Sequence, residues 1–461
     1  MSQRGRGDDV LLLGAYPRPS AERRSRLARA IRSRPDWTAV IQLAERHGVA
    51  ALLHGQLDAV PAGTVPPPAR EALAALARTC VAFNLRLRYD LDRLLGAFAH
   101  AGIPVMPLKG PVLADDLYPA PLLRQAGDLD ILVRADDHAQ AGRVLEELGY
   151  ARRPEDQQGA DYHTIFTNEA IDVELHHDIG ERHVSRMDVD GIWASARPAC
   201  WQGHPVWSMS WPDLVVYLAF HAAKDGLASL RALVDIALLV DRERDVLPWP
   251  ALADRVRDAH LAPVVYLALS QARELLGARV PDEFLEVIRP RQVGWWLAER
   301  LFHWRGGVLH VADELLVGPV MAALMLLWEP TARARLRHLR RNLLPSAGLR
   351  GRWTSAPART SWLLWYPAWI AQAARQLLRQ LAAPAPNGLH ARELGDAEEA
   401  RPVLGPGELG TSLRHEMEEQ QLRERSAGRL GDRIAVVPLA AAREDDGLPG
   451  LERALRVAQR R

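Results

Sequence analysis

The stretch 103–133, IPVMPLKGPVLADDLYPAPLLRQAGDLDILV, decides how this chain is read. It predicts a short strand over Ile103–Met106, a turn at Lys109-Gly110, a helix, and a second strand opening with Asp128-Leu129-Asp130. Residues two apart in a strand project to one face, so Asp128 and Asp130 stand side by side where the strand begins. Ile131, Leu132 and Val133 carry it on into a core. Adjacent carboxylates raise each other's pKa unless a cation lies between them. Oxygen-only ligands suit a hard ion, and Mg²⁺ is usually held by one or two carboxylates together with substrate phosphates. An isolated Asp-x-Asp is more often simply solvated. The motif needs company.

Residues 170–179 supply it. In AIDVELHHDI, Ile171, Val173 and Leu175 alternate with Asp172, Glu174 and His176, the period-two pattern of a half-buried strand. Its polar face carries two carboxylates and an imidazole, where Thr, Lys or Arg would be ordinary. Paired beside the Asp128 strand, it would bring three or four carboxylates to one spot. Such a cluster is costly without metal, and two Mg²⁺ ions are the simplest expectation. The strand pattern leaves Glu174 and Asp172 as alternatives for the third carboxylate.

With both stretches in view, the chain resembles the uncharacterised bacterial nucleotidyltransferase family of the DNA polymerase β-like superfamily. The resemblance is carried by Leu108-Lys109-Gly110, Tyr118, Arg124, Asp128/Asp130 and Glu174-Leu175-His176, in that order. It extends to a helical lead-in (IQLAERHGVAALLHGQL and about Arg70 to His100) and to Leu218–Asp241, with His221-x-x-Lys224 and a later Asp, covering roughly residues 35–245. It implies an α+β fold, with a small mixed β-sheet palm, a helical N-terminal cap and a helical C-terminal domain. The implied activity moves an NMP from an NTP to a hydroxyl of a small molecule or protein, with two Mg²⁺ ions on Asp128, Asp130 and Glu174. Lys109, Gly110, Arg124 and Lys224 would hold the nucleotide. The superfamily usually opens its helix with Gly-Ser or Gly-Gly, whereas Gly110 is followed here by Pro111, which has no N–H or hydroxyl to offer a phosphate. That departure is the best support for a rival reading, a non-catalytic scaffold or maturation protein retaining the fold; a phosphotransferase using the same metal site is a third reading, differing only in which phosphate is attacked.

At 461 residues the chain exceeds one compact core, and 48% hydrophobic with 25% charged residues is ordinary for a soluble protein. The expected division is a helical cap (1–100), an αβ core (101–190), a helical domain (191–312), a Trp/Arg-rich helical extension (313–383) and a largely disordered tail (384–461). A net charge of +1 gives no argument for nucleic acid as a partner. Cys80 and Cys200, without metal-type spacing, fit a reducing cytosol, and the first residues lack a signal-peptide layout. A basic, Trp-rich stretch over 331–380 could touch a membrane surface, although packing on the protein is the favoured expectation. The histidines raise a zinc hydrolase as a rival, but HExxH is absent and His176 and His177 point to opposite faces of a strand. His176 is expected behind the ligands or on substrate, and His177 in a structural role. Either His221 or Lys224, one helical turn apart, is expected to reach the cleft.

Overall fold

The computed structural model describes residues 6–310, apart from 62, 154–161, 181–186, 225–226, 228, 244, 292–294, 297–298, 301 and 303–306. The expected extension, its membrane-facing stretch and the expected disordered tail lie outside the described residues.

A five-stranded sheet sits at the centre, in the order β1-β2-β5-β4-β3. Its strands are β1 (Met106–Pro107), β2 (Leu129–Leu132), β3 (Ala151–Arg152), β4 (His163–Thr167) and β5 (Asp172–His176). β2 and β5 run parallel, and the other pairs are antiparallel, so the sheet is mixed. A parallel pair needs a crossover. Here it is made by α7 (His138–Glu147) followed by β3 and β4. Gly149 lies just past α7 with φ +89°, the left-handed position that a helix-ending glycine supplies without strain. Glu169, at φ +68°, turns β4 into β5.

Alternation along β2 and β5 gives each face its partner. Leu129, Ile131, Val133, Val173 and Leu175 point into a core shared with α7 and with Leu87, Leu91, Leu94, Leu95 and Phe98 of α5 (Pro67–His100). At 34 residues, α5 is about 50 Å long, and prolines at its first positions already have the φ that a helix start requires. The other face carries Asp130, Glu174 and His176.

Helices before and after the sheet share a second core. It contains Val10 and Leu11 of α1 (Arg6–Ala15), Ile31 of α2 (Ala21–Arg32), Val40 of α3 (Trp37–Arg46) and Leu53 of α4 (Ala50–Gln56). The same cluster includes Val215 of α9 (Trp211–Lys224), Leu238 of α10 (Leu230–Glu243), Leu252 of α11 (Trp249–Asp258), Val265 of α12 (Ala262–Gln271) and Phe284 of α13 (Asp282–Ile288). Trp211-Pro212 opens α9, the proline sitting where a helix start tolerates its missing N–H.

Three details differ from the sequence reading. The first strand comes later and is shorter, Met106–Pro107, because its pairing ends where Lys109 turns away. β3 pairs through only two exposed residues, too few to leave a periodic signal. Most telling is the start of the expected helical domain (191–312), which contains a hairpin of β6 (Arg197–Trp201) and β7 (His204–Ser208) after the short α8 (Val189–Ala194). Its turn residues Gln202 and Gly203 both have positive φ, 50° and 89°, the geometry of a tight hairpin turn usually marked by Asn-Gly.

Candidate functional site

Register builds the site. In the β2–β5 ladder Asp130 lies opposite Glu174 and Leu132 opposite His176, so two carboxylates and an imidazole meet on one face of neighbouring strands. One ligand atom from each of Asp130, Glu174 and His176 lies within 4.8 Å of the others. His176 Nε2 is 3.4 Å from Asp130 Oδ1 and 3.3 Å from Glu174 Oε2. Asp130 and His176 are buried, with residue exposures of 3% and 6%, and Glu174 is half-buried. Asp128 immediately precedes β2 and sits at the lip of the group.

Lys109 closes the site from the β1 side. The Leu108 N–H donates to the Asp130 carbonyl at 3.0 Å, which fixes the turn beside the carboxylate. Lys109 Nζ then stands 3.0 Å from Asp130 Oδ2, 3.5 Å from Asp128 Oδ1 and 3.2 Å from His221 Nε2. Gly110 makes this possible, since φ +71° with ψ −138° is a backbone shape open essentially to glycine. A Cβ there would meet the Asp128 carbonyl only at 3.6 Å, so the constraint is the dihedral and not space. Gly110→Ala is therefore expected to cost about 1–3 kcal/mol of stability and to displace Lys109, read as a lower urea midpoint together with weaker nucleotide binding.

The charges are strongly coupled. Burial and the neighbouring Asp130 push the Asp128 carboxyl up to about 6, against the pull of Lys109. For Asp130, burial acts upward but is outweighed by Lys109 and His176, which hold it well below the usual carboxylate range. Burial alone would neutralise Lys109 and His176, yet the carboxylates around each keep both raised. Glu174 is lowered: burial opposes its ionisation, and His176 more than compensates.

The donor set fits a divalent cation. Both ring nitrogens of His176 are buried without a hydrogen-bond partner, and Asp130 Oδ2 meets only the Lys109 ammonium, an expensive arrangement unless something charged engages the imidazole. The Nε2 contacts to the carboxylates have ion-pair distances without hydrogen-bond geometry.

The other expected site residues separate. Arg124 was expected on phosphate, but its guanidinium is buried and forked onto Asp235, Nε to Oδ1 at 2.8 Å and Nη2 to Oδ2 at 2.7 Å. Tyr118 donates to the same carboxylate at 2.6 Å, and Asn84 of α5 pins the Leu122 and Arg124 carbonyls at 2.7 and 2.8 Å. The group anchors the loop between α6 (Pro111–Leu117) and β2 and leaves no charge for a ligand. Arg231, one helical turn before Asp235, instead donates its guanidinium to the Gln125 carbonyl. Asp172 shares the strand face of Glu174, but Arg153 holds both its oxygens at 2.8–2.9 Å, away from the cluster. Lys224 ends α9, and its side chain lies outside what is described.

Sequence reasoning set His176 behind the carboxylates or on substrate; it stands beside Asp130 and Glu174, and the signal for that was its position two residues after Glu174. Tyr162, Tyr217 and Phe220 also line the cavity over Asp130, Glu174, His176 and His221. Tyr217 and His221, one helical turn apart on α9, stack at 6.1 Å. A larger cavity, about 530 Å³, opens beyond the C-terminal ends of β2 and β5, between Arg134, His177, Asp178, Asp188 and Trp193, and includes none of the clustered carboxylates.

Residues 33–277 match the model of a family described as uncharacterised nucleotidyltransferase. No curated protein matches the chain. Among solved structures, a crystal structure of ANT(2")-Ia with adenylyl-2"-tobramycin is 14% identical, with a TM-score of 0.28, over 38% of this chain and 97% of that one. A solution structure of the antibiotic-resistance factor ANT(2'')-Ia is 16% identical, with a TM-score of 0.25, over 48% of this chain and 98% of that one. Likenesses this loose carry no argument, and the class rests on the family match.

Proposed function

We propose that this chain, which belongs to the uncharacterised nucleotidyltransferase family, moves an NMP from an NTP to a hydroxyl of a small molecule or protein. The observation that carries the reading is the meeting of Asp130, Glu174 and His176 on adjacent parallel strands, with Lys109 turned onto them.

Asp130 and Glu174, with Asp128 at the lip, are the residues to hold the divalent cations that the family implies, for which Mg²⁺ is the expectation from oxygen ligands. A bound cation there would offset phosphate charge and lower the pKa of the acceptor hydroxyl. The hydroxyl oxygen attacks the α-phosphorus in line, the bond to the bridging oxygen breaks, and pyrophosphate leaves. Lys109 exchanges its carboxylate partners for phosphate oxygens and neutralises the charge that develops on them. His221 keeps a polar contact on the ammonium during that exchange. Tyr162, Tyr217 and Phe220 offer ring faces for a base or an acceptor. The backbone of α6 contributes little to a phosphate grip, because it opens with Pro111, itself buried.

The test is calorimetric titration of ATP, GTP, CTP and UTP with Mg²⁺ into the protein and into Asp128→Asn/Asp130→Asn. Metal-dependent binding of a nucleotide, lost in the double variant, supports transfer and names the donor. Failure of every nucleotide to bind, alone or with candidate acceptors, sinks catalysis and leaves the scaffold reading that Pro111 favours. Product analysis separates the phosphotransferase reading, in which the γ-phosphate moves and the nucleoside diphosphate accumulates.

Lys109→Met separates the two partners of that ammonium. Nucleotide affinity is expected to fall about 10–100-fold, the worth of a charge-assisted contact. Metal affinity without nucleotide is expected to rise, because Lys109 no longer competes for Asp128 and Asp130. Equal losses of both affinities in the same titrations would contradict the exchange.

A further inference from the structure

We infer that His176 is a direct metal ligand through Nε2, and that the site therefore prefers a first-row transition-metal dication, with paramagnetic Mn²⁺ as its probe, to Mg²⁺. This rests on the nucleotidyltransferase reading of the same site and specifies which ion it takes.

The His176 imidazole faces two carboxylates without making a well-formed hydrogen bond to either. His176 is 6% exposed, and neither of its ring nitrogens has a hydrogen-bond partner. A buried histidine in a purely structural role places at least one ring nitrogen on a carbonyl, hydroxyl or carboxylate. His138 nearby does so, with Nε2 3.3 Å from the Leu175 carbonyl. His176 instead presents Nε2 to Asp130 Oδ1 and Glu174 Oε2 at 3.4 and 3.3 Å without hydrogen-bond geometry.

Those separations are ligand–ligand distances. Ligands at roughly 2.0–2.2 Å from one ion lie about 3.0–3.5 Å apart at neighbouring coordination positions. The ring is fixed for the purpose: β4 pairs with β5 so that His163 lies opposite His176, and the two rings stack at 5.1 Å with 27° between their planes. A flexible side chain would pay rotamer entropy to coordinate, and this one has little left to lose.

Ligand chemistry then sets the preference. Mg²⁺ takes oxygen ligands and keeps its waters, whereas an imidazole among carboxylates favours first-row transition metals. Asp128 and Asp130 remain an oxygen-only pair, so the mixed nitrogen–oxygen set is specific to the β5 side of the cluster.

The full-length protein, loaded with Mn²⁺ alone and with Mn²⁺ plus each of the four NTPs, is examined by pulsed electron paramagnetic resonance. Nitrogen modulation from a directly bound imidazole is expected, and protein grown with ¹⁵N-histidine must convert it to the ¹⁵N pattern. In His176→Asn the modulation disappears and Mn²⁺ affinity falls about tenfold or more, while Mg²⁺ affinity changes by less than about threefold. Mn²⁺ bound with no nitrogen modulation in the wild type overturns this inference and leaves the transferase reading standing. No Mn²⁺ binding under any condition also overturns this inference, while the transferase reading is decided separately by the Mg²⁺–nucleotide titration. If His176→Asn does not fold, the ¹⁵N-histidine experiment on the wild type, together with its Mn²⁺:Mg²⁺ affinity ratio, still decides the question.

Discussion

Asp130→Asn is expected to lower nucleotidyl transfer by about 10³-fold or more, roughly 4 kcal/mol of transition-state stabilisation. Asp130 is the hub of the cluster: one oxygen faces Lys109 at 3.0 Å and the other faces His176 at 3.4 Å. An amide keeps the shape and removes the charge that both cations and any bound metal answer to. Its effect should therefore appear in metal and nucleotide affinity as well as in turnover, with Lys109 left to Asp128 and His176 to Glu174 alone. Glu174→Gln should follow the same pattern with a smaller loss, because Glu174 is more exposed and lies at the edge of the group. Asp172→Asn is the informative contrast. Its carboxylate is held by Arg153 on a part-exposed strand end, so activity should stay within about threefold and stability within about 1 kcal/mol. The measurement is pyrophosphate release over a panel of hydroxyl acceptors, with folding followed in parallel. A loss in Asp172→Asn equal to that in Asp130→Asn would return Asp172 to the metal site.

That contrast marks where the sequence stops being readable. Period-two alternation was enough to place Glu174 and His176 on one strand face, and Asp-x-Asp at a strand start to place Asp128 and Asp130 on another; that the two strands pair was a condition, met by the parallel β2–β5 ladder. Both signals are local, and a strand shows its two faces within five residues. The choice between Glu174 and Asp172 is not local, because it depends on Arg153, which pairs through an antiparallel neighbour. The misreading of Arg124 has the same origin. Four residues before Asp128, it looks like a phosphate ligand, and its true partner Asp235 lies 111 positions away. The hairpin Arg197–Ser208 was missed for another reason: its strands are largely exposed and its Gln-Gly turn lacks the usual asparagine. The long helix α5 and the opening of α9 were legible because proline and apolar spacing act within a few turns.

The Arg124–Asp235 pair also yields the largest expected stability effect. Asp235→Ala should cost about 3–5 kcal/mol, because it leaves a guanidinium uncompensated inside the protein, with side-chain exposures of 3% and 4% for the two partners. A solvated surface pair would cost under about 1 kcal/mol, so the urea midpoint discriminates between the two readings. Arg124→Met/Asp235→Leu should recover much of the loss, since apolar side chains of similar volume remove both charges together. The acid limb has a definite sign. Burial would raise the Asp235 carboxyl, but Arg124 and Arg231 hold it below its ordinary value, so its contribution is fully present above the unfolded pKa of about 4 and is lost as pH falls towards the lower folded value. Asp235→Asn should accordingly flatten the decline in stability below about pH 4. Transfer should suffer too, although Asp235 touches neither phosphate nor metal ligand. Arg124 and Tyr118 both fasten to Asp235, and the chain they anchor leads directly into Asp128. Loosening it frees the lip of the site to move, and a misplacement of about 1 Å is enough for a large rate penalty in in-line attack. A destabilised Asp235→Asn protein that retained full turnover below its unfolding transition would show that this loop's rigidity is not needed for positioning Asp128.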